Sequence, residues 1–158
     1  MQKEKLLILS LLRENARTPL TKISKKTRVP ISTLHEIVKN DMKGMIQKTT
    51  ILLDYDKMGY SARANMLIKV KKDKRVSLKN YLKKLPHTNN IQSISNGYDF
   101  MAEFIFRDFK KMELFFEELE DKFEILDKKK FYIMEEIKRE GFVDSFDYLK
   151  LGDENGKL

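Results

Sequence analysis

Between Lys3 and Asn15 the residues Leu6, Leu7, Ile8, Leu9, Leu11 and Leu12 form a broad apolar stripe at helical spacing, which predicts a largely buried first helix. Thr18-Pro19 reads as an N-cap followed by proline at the first helical position, opening a second short helix from Pro19 to about Lys26. Pro30 interrupts the pattern, and a third helix is expected from Ile31 to about Lys43, ending near Gly44. The stretch "LTKISKKTRVPISTLHEIV" spaces its apolar groups at intervals that suit neither one helix nor one strand. Two helices joined by a tight turn account for them. Ile23, Thr27, Val29, Leu34 and Ile37 then point inward, and the small Ser24 sits where the helices approach most closely. The turn that usually carries glycine has Arg28. A side chain in a left-handed turn there costs roughly 1 kcal/mol, which a packed tri-helical core can absorb.

Beyond Gly44 the pattern changes from helical to alternating. "MIQKTTILLDYDKMGY" has the β-branched density of a strand or a short wing, and in "ARANMLIKVK" Ala64, Met66, Ile68 and Val70 alternate with Arg63, Asn65, Leu67 and Lys69. "VSLKNYLKKL" predicts a helix, "NIQSISNGYDFMAEFIFRD" two strands about Asn96-Gly97, "FKKMELFFEELEDKF" a second amphipathic helix, and "KKKFYIMEEIK" a last strand. The fold class is α+β: an N-terminal winged helix-turn-helix followed by a ferredoxin-like βαββαβ sandwich with both helices on one face of its sheet. The expected boundaries are 1–50 for the helix-turn-helix domain, 51–61 for a linker strand, 62–142 for the sandwich and 143–158 for a C-terminal tail. The second sheet face, carrying Leu67 and its register, is left to be covered by self-association or a ligand.

Charge separates the two modules further. Residues 1–50 carry 11 Lys+Arg against 4 Asp+Glu, a balance of +7, while residues 51–158 carry 21 against 20. A basic segment joined to a near-neutral one is expected when one module meets a polyanion. Ile31, Ser32, Thr33, His35, Glu36 and Lys39 on the outer face of the third helix are the candidates for base edges. Lys22, Lys25, Lys26, Arg28, Lys43 and Lys48 flank them as candidates for phosphates. The 158 residues contain no cysteine, which excludes disulfides and thiolate chemistry, and His35 and His87 have no ligand-spaced carboxylates beside them. No metal, cofactor or catalytic residue is expected. Leu6–Leu12 is too short to span a bilayer and runs into "RENAR", so it reads as a buried helix of a cytoplasmic, nucleoid-associated protein with no membrane partner.

Three stretches, in order and spacing, resemble the Lrp/AsnC family of leucine-responsive or feast/famine regulators across roughly Lys3 to Phe142. "NARTPLTKISKKTRVPISTLHEI" resembles the family's N-A-R-I-S-L-T-E-L-A-K-K-T-G-L-S-P-S-T-V run, "LDYDKMGY" its entry to the second module, and "SNGYD" its T-G-x-Y-D hairpin. The resemblance implies a sequence-specific DNA-binding transcription regulator whose partners are double-stranded DNA and further copies of itself, as a homodimer or higher oligomer. It also implies an amino-acid effector near Asn96, Gly97, Tyr98 and Asp99, where Asp99 would take an ammonium group and the amides of Asn96 and Gly97 a carboxylate. The plainer reading is that this pair only turns the chain, with Asp99 tightening the turn.

Three departures bear on those expectations. His35 and Glu36 stand where relatives commonly carry arginine, Asn96 replaces the hairpin glycine, and "DKKKFYIMEEIK" lacks the small hydroxylated residues relatives often show. Two rival classes share the layout. One is a metabolite-responsive module whose helices contact protein, against which the +7 first segment argues. The other is an enzyme resembling sirohaem decarboxylases, for which the chain offers only His87 and Arg107.

Overall fold

The computed structural model describes residues 3–144, so most of the expected 143–158 tail lies outside the described residues. They fall into two compact units. One draws on residues 3–52 and 138–144, the other is Leu53–Ile137.

In the first unit α1 (Lys3–Glu14), α2 (Leu20–Thr27) and α3 (Ile31–Glu36) close around Ile8, Leu11, Ile23, Val29, Leu34 and Met42, with Leu9, Leu12, Leu20, Ile37, Val38 and Ile46 packed against them. Each such side chain contributes about 1.5–3 kcal/mol when fully buried, which is what lets three short helices hold. Two expectations are corrected. Thr18 does not cap α2. Pro19 occupies the N-cap position with φ −61° and ψ 142°, and its carbonyl accepts from the amides of Lys22 (2.9 Å) and Ile23 (3.2 Å). Asn15 instead organises the approach, its side chain accepting from the Arg17 amide at 2.9 Å. The third helix is not α-helical to Lys43 either. After Glu36 it widens into a π turn over Ile37–Asp41, where the Met42 amide reaches the Ile37 carbonyl at 3.0 Å. The wider turn places Met42, fully buried, in the core.

The second unit contains β1 (Ala62–Lys69), α4 (Arg75–Lys84, preceded by a 3-10 turn at Lys72–Lys74), β2 (Thr88–Ser93), β3 (Phe100–Phe106), α5 (Phe109–Phe123) and β4 (Asp127–Tyr132). The strands form one antiparallel sheet in the order β2-β3-β1-β4. Alternation along β1 buries Ala62, Ala64, Met66 and Ile68 against Leu78 and Leu82 of α4 and Met112, Phe116, Leu119 and Phe123 of α5. Asp108 caps α5 by accepting from the Lys111 amide at 2.8 Å, and Glu124 ends it in the left-handed region at φ 48°. The opposite sheet face carries Arg63, Asn65, Leu67, Met101 and Glu103, none covered by a helix.

Residues 46–54 form neither helix nor strand, and Tyr55 to Gly59 turn. The linker strand and paired wing expected here are therefore not formed among the described residues. A strand exists only where a neighbour answers its amides and carbonyls, and the four-stranded sheet does not extend to this segment. The last strand likewise stops at Tyr132. The Ile133 amide still bonds the Arg63 carbonyl at 2.9 Å, but Met134 and Ile137 lie open.

Candidate nucleic-acid interface

The link between α2 and α3 is held by four side-chain and backbone bonds, and each has a local cause. Arg28 adopts φ 60° and ψ 17°, the left-handed conformation expected of the glycine it replaces, and its amide bonds the Ser24 carbonyl at 2.8 Å. Ser24 is more than small: its hydroxyl donates to the Val29 carbonyl at 2.6 Å across the turn. Thr27 donates to the Ile23 carbonyl at 2.9 Å and accepts from the Val29 amide at 3.3 Å. Hydroxyls near a helix end bond to backbone in this way, a signal present in "ISKKTRV" but read there only as side-chain size.

This turn fixes the face that α3 presents. Leu34 is fully buried, so helical periodicity places Ser32, Glu36 and Lys39 opposite it, with Thr33 and His35 beside them and Ile31 half exposed at the margin. All six are exposed, and the side chains of Ser32, Thr33, His35 and Glu36 make no hydrogen bond among the described residues. On α2 Ile23 faces inward, which leaves Lys22, Lys25 and Lys26 outward. Lys22, Lys25, Arg28, Lys39, Lys43 and Lys48 are exposed and have no acidic partner at ion-pair distance among the described residues. The acids that do find partners lie elsewhere in the unit, Asp41 with Lys5 at 2.7 Å and Glu140 with Arg13 at 3.0 Å. Lys48 belongs to the irregular segment after α3 and does not share the helix face.

At the hairpin of the second unit, Asn96 (φ 68°) and Gly97 (φ 97°) supply two consecutive positive-φ residues. The Ile94 amide bonds the Asp99 carbonyl at 3.2 Å, so the turn is longer than a two-residue Asn-Gly hairpin. The Asp99 carboxylate is 10% exposed and fully engaged. One oxygen accepts from the Val70 amide at 2.9 Å and the other meets Arg75 Nη2 at 2.7 Å. Tyr98 donates to Asp127 at 2.9 Å, and burial together with that carboxylate raises its phenol above the usual value. His87 stacks on Phe106 at 4.1 Å with Nδ1 3.1 Å from the Ile105 carbonyl, while the Arg107 guanidinium lies 5.4 Å over Tyr60. Each is engaged with its own neighbours. Among the described residues no cluster of three or more metal-ligating side chains occurs, and no helix is long and apolar enough to cross a membrane.

The geometry has counterparts among known proteins. The HTH-type transcriptional regulator FL11 of Pyrococcus horikoshii is 34% identical over 97 residues, which cover 61% of this chain and 64% of that protein. The chain thus spans under two thirds of the length of the first relatives it matches. An uncharacterised HTH-type transcriptional regulator of Pyrococcus furiosus is 32% identical over 110 residues, covering 68% of this chain and 74% of its own length. A transcriptional regulator of Neisseria meningitidis, solved as a complex with L-Met, shares the fold at a TM-score of 0.81 and 19% identity, covering 88% of this chain and 93% of that one. AsnC of E. coli does so at 0.79 and 19%, covering 90% and 98%. No protein-family model matches the sequence.

Proposed function

The chain belongs to the Lrp/AsnC family of HTH-type transcriptional regulators, and from that premise we propose that its first unit binds double-stranded DNA and reads sequence through α3. The observation that carries the reading is the exposed set opposite Leu34, bordered by Lys22, Lys25, Arg28 and Lys43, which have no acidic partner among the described residues. Ser32, Thr33, His35, Glu36 and Lys39 are assigned to base edges and Ile31 to a thymine methyl. Glu36 can accept from cytosine but is repelled by phosphate, so it trades affinity for selectivity. Lys22, Lys25, Lys26, Arg28, Lys43 and Lys48 are assigned to phosphates.

The open face of the second-unit sheet, with Leu67 and Met101 at its centre, is assigned to a second copy of the chain. A fragment lacking residues 1–50 then sediments as a dimer, and a monomer removes that assignment. A cytoplasmic, nucleoid-associated location and a non-enzymatic role go with the same reading. An amino-acid effector at Asn96, Gly97, Tyr98 and Asp99 draws support from the Neisseria relative's complex with L-Met. The carboxylate of Asp99 already holds Arg75 and the Val70 amide, which favours a hairpin closed on itself. An amino acid that raises the melting temperature of the wild type but not of Asp99→Ala reverses that preference.

The test of DNA reading is selection of bound sites from a random duplex library. His35→Ala or Lys39→Ala is expected to change the preferred site, and Lys26→Ala to weaken all sites alike. Unchanged preference in both of the first two variants moves base reading off α3.

A further inference from the structure

The near-neutral balance of residues 51–158 conceals a second concentration of positive charge. Residues 69–84 contain Lys69, Lys71, Lys72, Lys74, Arg75, Lys79, Lys83 and Lys84 against Asp73 alone, a balance of +7 in sixteen residues and as large as that of residues 1–50. Three of these are neutralised, Lys71 and Lys74 by Glu124 at 2.8 and 3.4 Å and Arg75 by Asp99. Lys69, Lys72, Lys79, Lys83 and Lys84 have no ion pair among the described residues.

The fold gathers most of them on one surface. Leu78 and Leu82 turn α4 towards the sheet, so Val76, Lys79, Asn80 and Lys83 occupy its solvent side, and Lys72 precedes them on the 3-10 turn. Val76, a β-branched apolar residue, stands 69% exposed among these lysines. Lys79 and Lys83 are one helical turn apart, roughly 6 Å along the axis, which is about two 3.4 Å steps of a DNA strand.

We propose that this α4 strip is a second, sequence-independent phosphate-binding surface, by which the chain holds duplex DNA outside the contact made through α3. The inference rests on the DNA-binding reading above. Because both units share one chain, DNA held by either is kept at high local concentration for the other, so contacts too weak to act alone still contribute. A second copy of the chain is the less favoured occupant. Its most acidic helix, α5, has Glu113 and Glu120 already paired with Lys130 and Lys128, and Lys122 follows Asp121 one turn after Glu118.

The experiment measures affinity for a random-sequence duplex against salt concentration, using the full chain and the variant Lys72→Gln/Lys79→Gln/Lys83→Gln. Each lost phosphate contact lowers the slope of log affinity against log salt by about 0.9, so the triple variant is expected to lose about 2.7. The matching triple arginine variant is expected to keep the wild-type slope, because charge rather than side-chain shape acts here. A wild-type slope in the glutamine variant overturns the proposal, the more so if that variant changes its sedimentation, which assigns the strip to a second copy. Loss of slope in the arginine variant as well overturns it too. A wild type that binds no DNA removes the α3 reading and this one together, whereas an intact wild type with an indifferent triple variant removes this one alone. If the triple variant fails to fold, Lys79→Gln alone carries the test with an expected change of about 0.9.

Discussion

The sheet of the second unit and the α3 face of the first treat charge differently. Around the sheet of the sandwich the charges are paired within the unit, Arg63 with Glu103 and Glu136, Lys130 and Tyr132 with Glu113, Asp99 with Arg75, and the lysines on the solvent side of α4 are the exception. In the tri-helical unit, Lys22, Lys25, Arg28 and Lys39 surround one helix face and find no acid among the described residues. Both units have a closed apolar core, so burial does not tell them apart. What does is where polar groups are left unanswered, and a surface whose cations stay unanswered is fitted to a partner that supplies the anions.

Core truncation tests first whether these are two units. Phe116→Ala, which removes a fully buried ring, is expected to cost about 3–5 kcal/mol, and Leu34→Ala about 2–5 kcal/mol. Hydrogen exchange read residue by residue is expected to lose protection in β1–β4 for the first variant and in α1–α3 for the second. Loss of protection throughout in both variants makes the molecule one cooperative body and removes the basis of the comparison.

Removal of a charge comes next, because its consequence is expected to differ in kind between the units. Arg63 is 12% and Glu103 14% exposed, with Tyr55 5.0 Å from the guanidinium, so Arg63→Ala leaves the Glu103 charge in a poorly solvated place with only the Asn89 amide, at 2.6 Å, to answer it. The expected loss lies near the lower end of the roughly 3–5 kcal/mol seen when a buried pair is broken. Lys25→Ala leaves stability within about 0.5 kcal/mol and weakens DNA binding instead. Denaturant midpoints and gel-shift titrations of the two variants read both effects. Equal stability losses in the two would mean that the lysines of the first unit also have a structural role.

Legibility in the sequence follows the same division. Elements that bury their own pattern were readable: the period-2 alternation of β1, the limits of α5, and the helix pair on either side of Arg28 all appear where periodicity places them. Elements whose form depends on backbone partners were not. Residues 51–61 have strand composition yet no ladder to join, and the π turn after Glu36, which precedes the buried Met42, is not announced by helical periodicity. On α3 the exposed face was readable from periodicity, whereas the hydroxyl bonds of Ser24 and Thr27 across the link depend on the turn itself. At the hairpin, Asn96-Gly97 signalled a turn, but the partner of Asp99 lies 24 residues earlier at Arg75 and no local pattern links them.

The paired charges of the sandwich also have a pH signature. Burial works to raise the Glu113 carboxyl, but hydrogen bonds from Lys130 and Tyr132 outweigh it and the net shift is downward. A carboxyl lowered on folding stabilises above its unfolded value and loses that contribution as pH falls through the folded value. Tyr132 moves the other way, held up to about 12 from 10.0, first by its bond to Glu113 and then by burial. Its contribution is fully present below pH 10 and is lost as pH rises from 10.0 towards 12. In Tyr132→Phe the alkaline decline of the sandwich is expected to be shallower over that window, as followed by chemical denaturation. An identical decline in the variant removes this pair as its cause.

Arg28 combines a left-handed turn with a charge that has no acidic partner among the described residues, and its replacement by glycine is expected to change stability little and in the favourable direction. At φ 60° its side chain pays the left-handed penalty of about 1–2 kcal/mol, while glycine relieves that strain but gains freedom in the unfolded chain, leaving a net gain of about 0.5–1 kcal/mol. The bond from residue 28's amide to the Ser24 carbonyl survives, because it belongs to the backbone. If Arg28 meets a phosphate, Arg28→Gly then melts higher while its salt slope on DNA falls by about 0.9. Such opposite movement separates a residue kept for its charge from one kept for its turn. A variant that is more stable and binds DNA with an unchanged salt slope removes Arg28 from the phosphate contacts, and leaves the strain at this turn without a functional reason.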